Sequence, residues 1–133
     1  MNRPEVVVVD YGMGNLFSVQ SAFEHCGATV RVSADPAAIR AAERLVLPGV
    51  GAFGDGMREL ARRGLDEAIR ISAGKGVPLF GICLGMQLLM DESEEFGRSQ
   101  GLGLVPGKVL QIPTGPVGGE TRKIPHIGWN ALL

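Results

Sequence analysis

Three times in the first 85 residues an apolar stretch breaks directly into glycine. Val6 to Val9 run into D-Y-G-M-G-N, R-L-V-L (Arg44 to Leu47) into P-G-V-G, and V-P-L-F (Val77 to Phe80) into G-I-C-L-G. Unbroken β-branched or aliphatic runs of this length fit strands buried on both faces, as in a parallel sheet covered by helices. The intervening segments carry helix signals. Asn15 is a plausible N-cap, Leu16, Val19, Phe23 and Cys26 share one helical face, and Gly27 is a natural stop. A-T-V-R-V-S alternates as a strand should, and Asp35-Pro36 offers a cap followed by proline at the first helical position. One or two helices span Met57 to Ala73, broken near Gly64, and another should run from Leu84 to about Met90. This rhythm predicts an α/β fold: a three-layer, doubly wound domain with a mostly parallel sheet. Strand ends gather sites in such folds, so the three glycine turns should share one rim.

From residue 98 to 133 the texture changes to short stretches cut by proline and glycine, more hairpin-like than βα. These are G-L-G-L-V-P-G-K-V-L-Q-I-P and R-K-I-P-H-I-G-W, with P-T-G-P-V-G-G-E-T between them as a mobile loop. Residues 1–133 read as one domain. Hydrophobic residues make up 45% and charged residues 20%, and the formal net charge is −1. That balance gives no electrostatic case for nucleic acid or an anionic membrane. No apolar run approaches a membrane span, and the N-terminus lacks a signal peptide's long apolar region. Two cysteines, Cys26 and Cys83, are too few for a disulfide framework and suggest neither a metal site nor a cofactor, so a reducing cytoplasm is the expected setting.

Chemistry concentrates in G-I-C-L-G-M-Q. Gly81 and Gly85 flank Cys83 at the spacing of G-x-S-x-G, where small residues let a strained strand-to-helix turn project a nucleophile clear of the sheet. A thiol at a helix N-terminus is favoured as thiolate, and the N–H of Leu84 would be one oxyanion donor. The plainer alternative is a cysteine packed as a small hydrophobe in a tight turn. P-G-V-G (Pro48 to Gly51) follows a buried strand, and its glycines around Val50 would let a peptide aim an N–H at a developing oxyanion. D-Y-G-M-G-N invites a dinucleotide reading, but Phe17 stands where the third glycine belongs and Asp35 looks like a helix cap. His25, beside Cys26, and His126, in an expected strand, read as structural or interfacial. Trp129 suits either core or a partner surface. The acidic run Asp91 to Glu95 reads as a solvated helix end from which one carboxylate could face the elbow.

Together, G-I-C-L-G-M-Q and P-G-V-G-A-F resemble the nucleophile elbow and oxyanion strand of class I, triad-type glutamine amidotransferases. D-Y-G-M-G-N, P-G-V-G-A-F-G-D-G-M and I-P-H-I-G-W-N bring the resemblance closest to one branch, the glutaminase subunits of imidazole glycerol phosphate synthase in histidine biosynthesis. The likeness runs along essentially the whole chain. It implies that Cys83 attacks glutamine to give a glutamyl thioester and ammonia. Leu84 and the Val50–Gly51 peptide would supply oxyanion N–H groups, and Gln87 and Glu95 would hold the substrate. It also implies a (βα)8-barrel synthase (cyclase) subunit as recipient of the ammonia, with Asn15, Trp129 and Asn130 in regions facing it.

One departure stands out. The family's base and orienting acid form an H-x-E pair, and none occurs after Cys83; His126 matches the P-H position of I-P-H-I-G-W-N instead. The expectation is therefore a fold truncated at its C-terminus, lacking its last strands and poorly active alone. Two other readings compete. DJ-1/PfpI-like hydrolases resemble G-x-C-x-G but usually place histidine where this chain has Leu84, and a non-catalytic α/β binding module would make Cys83 structural.

Overall fold

A computed structural model describes residues 2–116, 118–119 and 123–133. Strands β1 (Glu5–Val9), β2 (Thr29–Ser33), β3 (Leu45–Leu47) and β4 (Leu79–Gly81) form a parallel sheet in the order β2-β1-β3-β4. The alternation of side chains along β1 sorts the layers. Val6 and Val8 meet Val46 and the half-buried Leu16, Val19 and Phe23 of α1 (Leu16–His25). Val7 and Val9 point the other way, into a larger core with Ile39, Leu47, Phe53, Leu60, Leu65 and Ile69. Apart from Leu47 of β3, those side chains come from α2 (Pro36–Ala41), α3 (Phe53–Arg62) and α4 (Leu65–Gly74); α5 (Leu84–Leu88) adds Leu84 and Leu88. The result is the doubly wound, three-layer architecture expected of the β-α rhythm.

Local signals act as their chemistry suggests. The Asn15 side chain accepts from the Ser18 N–H at 3.2 Å and opens α1. Asp35 accepts from the Ala37 N–H at 3.0 Å and opens α2 with Pro36 at its first turn, a capping role rather than a ribose contact. Gly64 separates α3 from α4. Cys26, expected on the inner face of α1, is instead its exposed C-cap, because the helix turns away at Gly27.

The clearest difference from the sequence reading follows α5. The helix stops at Leu88, and Asp91 to Ser93 of the acidic run expected as its solvated end belong to strand β5 (Met90–Ser93), with Glu94 and Glu95 just beyond it. β6 (Ser99–Gln100) pairs antiparallel and β7 (Val105–Val109) parallel with β5, making a second, three-stranded sheet. Glu92 is only 5% exposed there, its carboxylate bound by Arg98 Nε at 2.6 Å and Lys108 Nζ at 2.7 Å. Two cations beside one buried carboxylate, Lys108 first and Arg98 second, hold it below its usual range. One of these counter-ions, Lys108, comes from the neighbouring strand β7 and the other, Arg98, from just before β6; nothing within D-E-S-E-E itself reveals them. Arg70 fastens the sheet to α4, donating to the carbonyls of Leu102 (3.1 Å) and Gly101 (3.3 Å).

Beyond Val109 the described residues are exposed and form no strand. The strand expected over R-K-I-P-H-I-G-W is absent from 123–129, where Pro125 and Gly128 interrupt any ladder; its first residue, Arg122, lies outside the described residues. So do Val117, Glu120 and Thr121 of the expected mobile loop. Among the described residues no helix is long and apolar enough to cross a membrane.

Candidate active site

Cys83 stands between β4 and α5 with φ 54° and ψ −118°, a backbone conformation that side chains other than glycine rarely adopt. Tertiary packing enforces it. The Ile82 N–H donates to the Leu47 carbonyl at 2.9 Å, prolonging the β3–β4 ladder up to the turn. Immediately after the turn Gly85 lies so close to β3 that a Cβ there would overlap the Leu47 carbonyl oxygen. Helix α5 can therefore start only where it does, and the thiol is left exposed at the rim.

The three glycine turns do share that rim. Tyr11, from D-Y-G-M-G-N, donates its hydroxyl to the Pro48 carbonyl at 2.6 Å. A Cβ on Gly49 would overlap that hydroxyl and lie 2.9 Å from the Leu84 Cβ and 3.0 Å from the Gly85 nitrogen. P-G-V-G thus runs directly against the first turn of α5. Among the described residues the N–H groups of Gly51 and Leu84 have no main-chain acceptor.

Cys83 lines a cleft of about 660 Å³ together with Gly51, Leu84, Gln87 and Glu95, and with Glu94, Phe96 and Val109. Five of the residues singled out in the sequence therefore meet in one place. Val50, between Gly49 and Gly51, is exposed. Glu95 reaches the cleft because β5 ends just before it. Ser93 Oγ accepts from the Glu95 N–H at 3.1 Å, and the Glu95 carboxylate accepts from the Phe53 N–H at the start of α3 at 3.3 Å. The cleft is thus open to water, large enough to admit an amino acid, and lined by an exposed thiol, main-chain N–H groups and carboxylates.

Other candidates fall elsewhere. Asn15 is spent on capping α1, and Trp129 and Asn130 are exposed in the C-terminal stretch, so Trp129 is not core. His25 is in the last turn of α1, and His126 lines a separate hollow with Ile112, Lys123, Pro125 and Ile127. Neither histidine borders the Cys83 cleft. Sequence reasoning missed Tyr11 and Glu92. For Tyr11 a signal existed: it is the only tyrosine, two residues past the buried run Val6 to Val9, where a hydroxyl must find a partner.

A cysteine elbow at the strand ends of a doubly wound sheet, faced by a glycine loop, has the arrangement that an acyl-transfer nucleophile requires of an α/β scaffold. The sequence model for glutamine amidotransferase class-I matches residues 7–133, and the chain belongs to that family. Its curated relatives include imidazole glycerol phosphate synthase subunit HisH of Symbiobacterium thermophilum, 55% identical over 127 residues. These cover 96% of this chain and 57% of that protein. HisH of Geobacter sulfurreducens is 52% identical over 129 residues, covering 96% and 62%. HisH 1 of Legionella pneumophila strain Lens is 50% identical over 128 residues, covering 96% and 60%. The chain thus spans roughly three fifths of the length of these relatives. A crystal structure of a glutamine amidotransferase superposes with a TM-score of 0.67 at 21% identity, over 78% of this chain and 55% of that one, which supports the fold.

Proposed function

We propose that this chain carries the nucleophile half of a glutaminase, the glutamine amidotransferase subunit of imidazole glycerol phosphate synthase, acting in the cytoplasm in histidine biosynthesis. The observation that carries the reading is the convergence of Cys83, Gly51, Leu84, Gln87 and Glu95 on one cleft, in a chain half identical to subunits of that name. In the proposed reaction Cys83 Sγ, as thiolate, attacks the side-chain carboxamide carbon of glutamine. The carbonyl oxygen becomes an oxyanion facing the N–H of Leu84 and that of the Val50–Gly51 peptide. Collapse breaks the C–N bond; the amide nitrogen takes up a proton as it departs and leaves as ammonia, and a γ-glutamyl thioester remains. Water then cleaves the thioester to glutamate and regenerates the thiol. Gln87 and Glu95 hold the substrate, Glu95 facing its α-ammonium group. Ammonia passes to a (βα)8-barrel synthase subunit, docked over regions that include Asn15, Trp129 and Asn130.

The proton acceptor is assigned to a group outside the 133 residues, since neither histidine borders the cleft and no H-x-E follows Cys83. The 133 residues by themselves should accordingly turn glutamine over poorly. Glutamate release measured with the barrel subunit present should be abolished by Cys83→Ala. Brisk turnover by the isolated 133 residues, lost on His126→Ala, would overturn the assignment of the base.

A further inference from the structure

The glutaminase reading uses the P-G-V-G segment as a donor of oxyanion N–H groups but does not explain what holds it still. Glycines on both sides of Val50 leave the segment without side-chain restraint of its own, and Val50 is 62% exposed. A peptide so free could turn its N–H away from the nucleophile as easily as toward it.

The restraint comes from below. Tyr11 is 1% exposed, packed in the same core as Leu47 and Leu84, and its hydroxyl donates to the Pro48 carbonyl at 2.6 Å. Pro48 is the last residue before the glycines. Its carbonyl oxygen would also lie 3.0 Å from a Cβ on Gly85, so it is held between the phenol and the first turn of α5. Gly49 passes so close above the phenol that no side chain fits between them. One buried hydroxyl thus touches the root of the oxyanion strand within a few ångströms of the residues following Cys83. Burial first, and the charge of Cys83 second, push the phenol above its usual range, so it remains a donor at any working pH.

We propose that Tyr11 is a positioning residue for the oxyanion hole: its buried hydroxyl anchors the Pro48 carbonyl and so fixes the direction of the Val50–Gly51 peptide. The inference rests on the reading of Cys83 as an acyl-transfer nucleophile. It predicts an effect confined to steps that pass through an oxyanion.

Two reactions at the same sulfur separate that effect from a general disturbance. Alkylation by iodoacetamide displaces iodide and forms no oxyanion, whereas attack on glutamine or on a chromogenic γ-glutamyl amide does. Both are to be measured on the complex with the synthase subunit, for wild type, Tyr11→Phe, and a variant carrying 4-aminophenylalanine at position 11, which restores a donor. Tyr11→Phe should lower kcat for the amide about tenfold or more, within the range for a weakened oxyanion donor. Its KM and its iodoacetamide rate should stay within about twofold, and the amino variant should recover much of the lost kcat. An unchanged kcat in Tyr11→Phe refutes the inference. So does a parallel fall in both reactions, which would mean that the phenol merely supports the elbow. A wild-type complex that is alkylated at Cys83 but never acylated there refutes the glutaminase reading itself, and the inference with it.

Discussion

Replacing Cys83 by glycine should stabilise the fold while destroying its chemistry. At φ 54° and ψ −118° the Cβ of residue 83 crowds the backbone, a conformation that costs about 1–3 kcal/mol for a residue other than glycine. Cys83→Ala removes the thiol but keeps that crowding, so it is the proper reference. Cys83→Gly relieves the crowding but adds freedom to the unfolded chain, which returns about 0.4–1 kcal/mol. The glycine variant should therefore exceed the alanine variant by roughly 0.5–2 kcal/mol. With an unfolding entropy of about 2.1 cal/mol/K per residue over 133 residues, that difference is a rise in Tm of roughly 2–7 °C. Calorimetry on the two variants, with urea midpoints as a check, reads it directly. A glycine variant equal to or less stable than the alanine variant would refute the claim that the elbow is held under strain by its neighbours.

The packing beneath the elbow makes a complementary prediction. Gly85→Ala would drive a Cβ onto the Leu47 carbonyl, costing about 1–3 kcal/mol or more and slowing iodoacetamide labelling of Cys83, seen by urea titration and timed mass spectrometry. Glu95→Gln should raise KM for glutamine by about tenfold or more, as expected for a lost charge-assisted contact. Its melting temperature should barely move, because the amide oxygen can still accept from the Phe53 N–H. The depressed pKa of Glu92 gives a pH signature. Its ionised form is the one stabilised in the folded state, so that contribution is fully present above the usual carboxylate value of 4.5 and fades as pH falls through the lower folded value. Urea midpoints of wild type and Glu92→Gln should therefore differ most near neutrality and converge in acid.

Much of this was legible because it is local. The run Val6 to Val9 before D-Y-G-M-G-N, the Asp35-Pro36 cap and the break at Gly64 each specify their own geometry, and the parallel sheet follows from repeating the pattern. Cys83 was legible for the same reason: only a tight turn wants glycine on both sides of one residue. What escaped depends on distant partners. Asp91 to Ser93 are strand rather than helix end because they pair with β6 and β7, and Lys108 of β7 joins the nearby Arg98 in neutralising Glu92. Tyr11 reads as one letter of a glycine turn until Pro48 is found 37 residues away at its hydroxyl. His126 looked strand-borne from its neighbours, yet among the described residues beyond Val109 none lies in a strand.

The central claim is that Cys83 is an acyl-transfer nucleophile for glutamine, and Cys26 provides an internal control because both thiols are exposed. The complex with the barrel subunit, mixed with glutamine, quenched in acid during turnover and digested, should show a γ-glutamyl adduct on the Cys83 peptide. The Cys26 peptide should be unmodified, and hydroxylamine should remove the adduct. Turnover with no adduct on Cys83, or with equal modification of Cys26, would contradict the account.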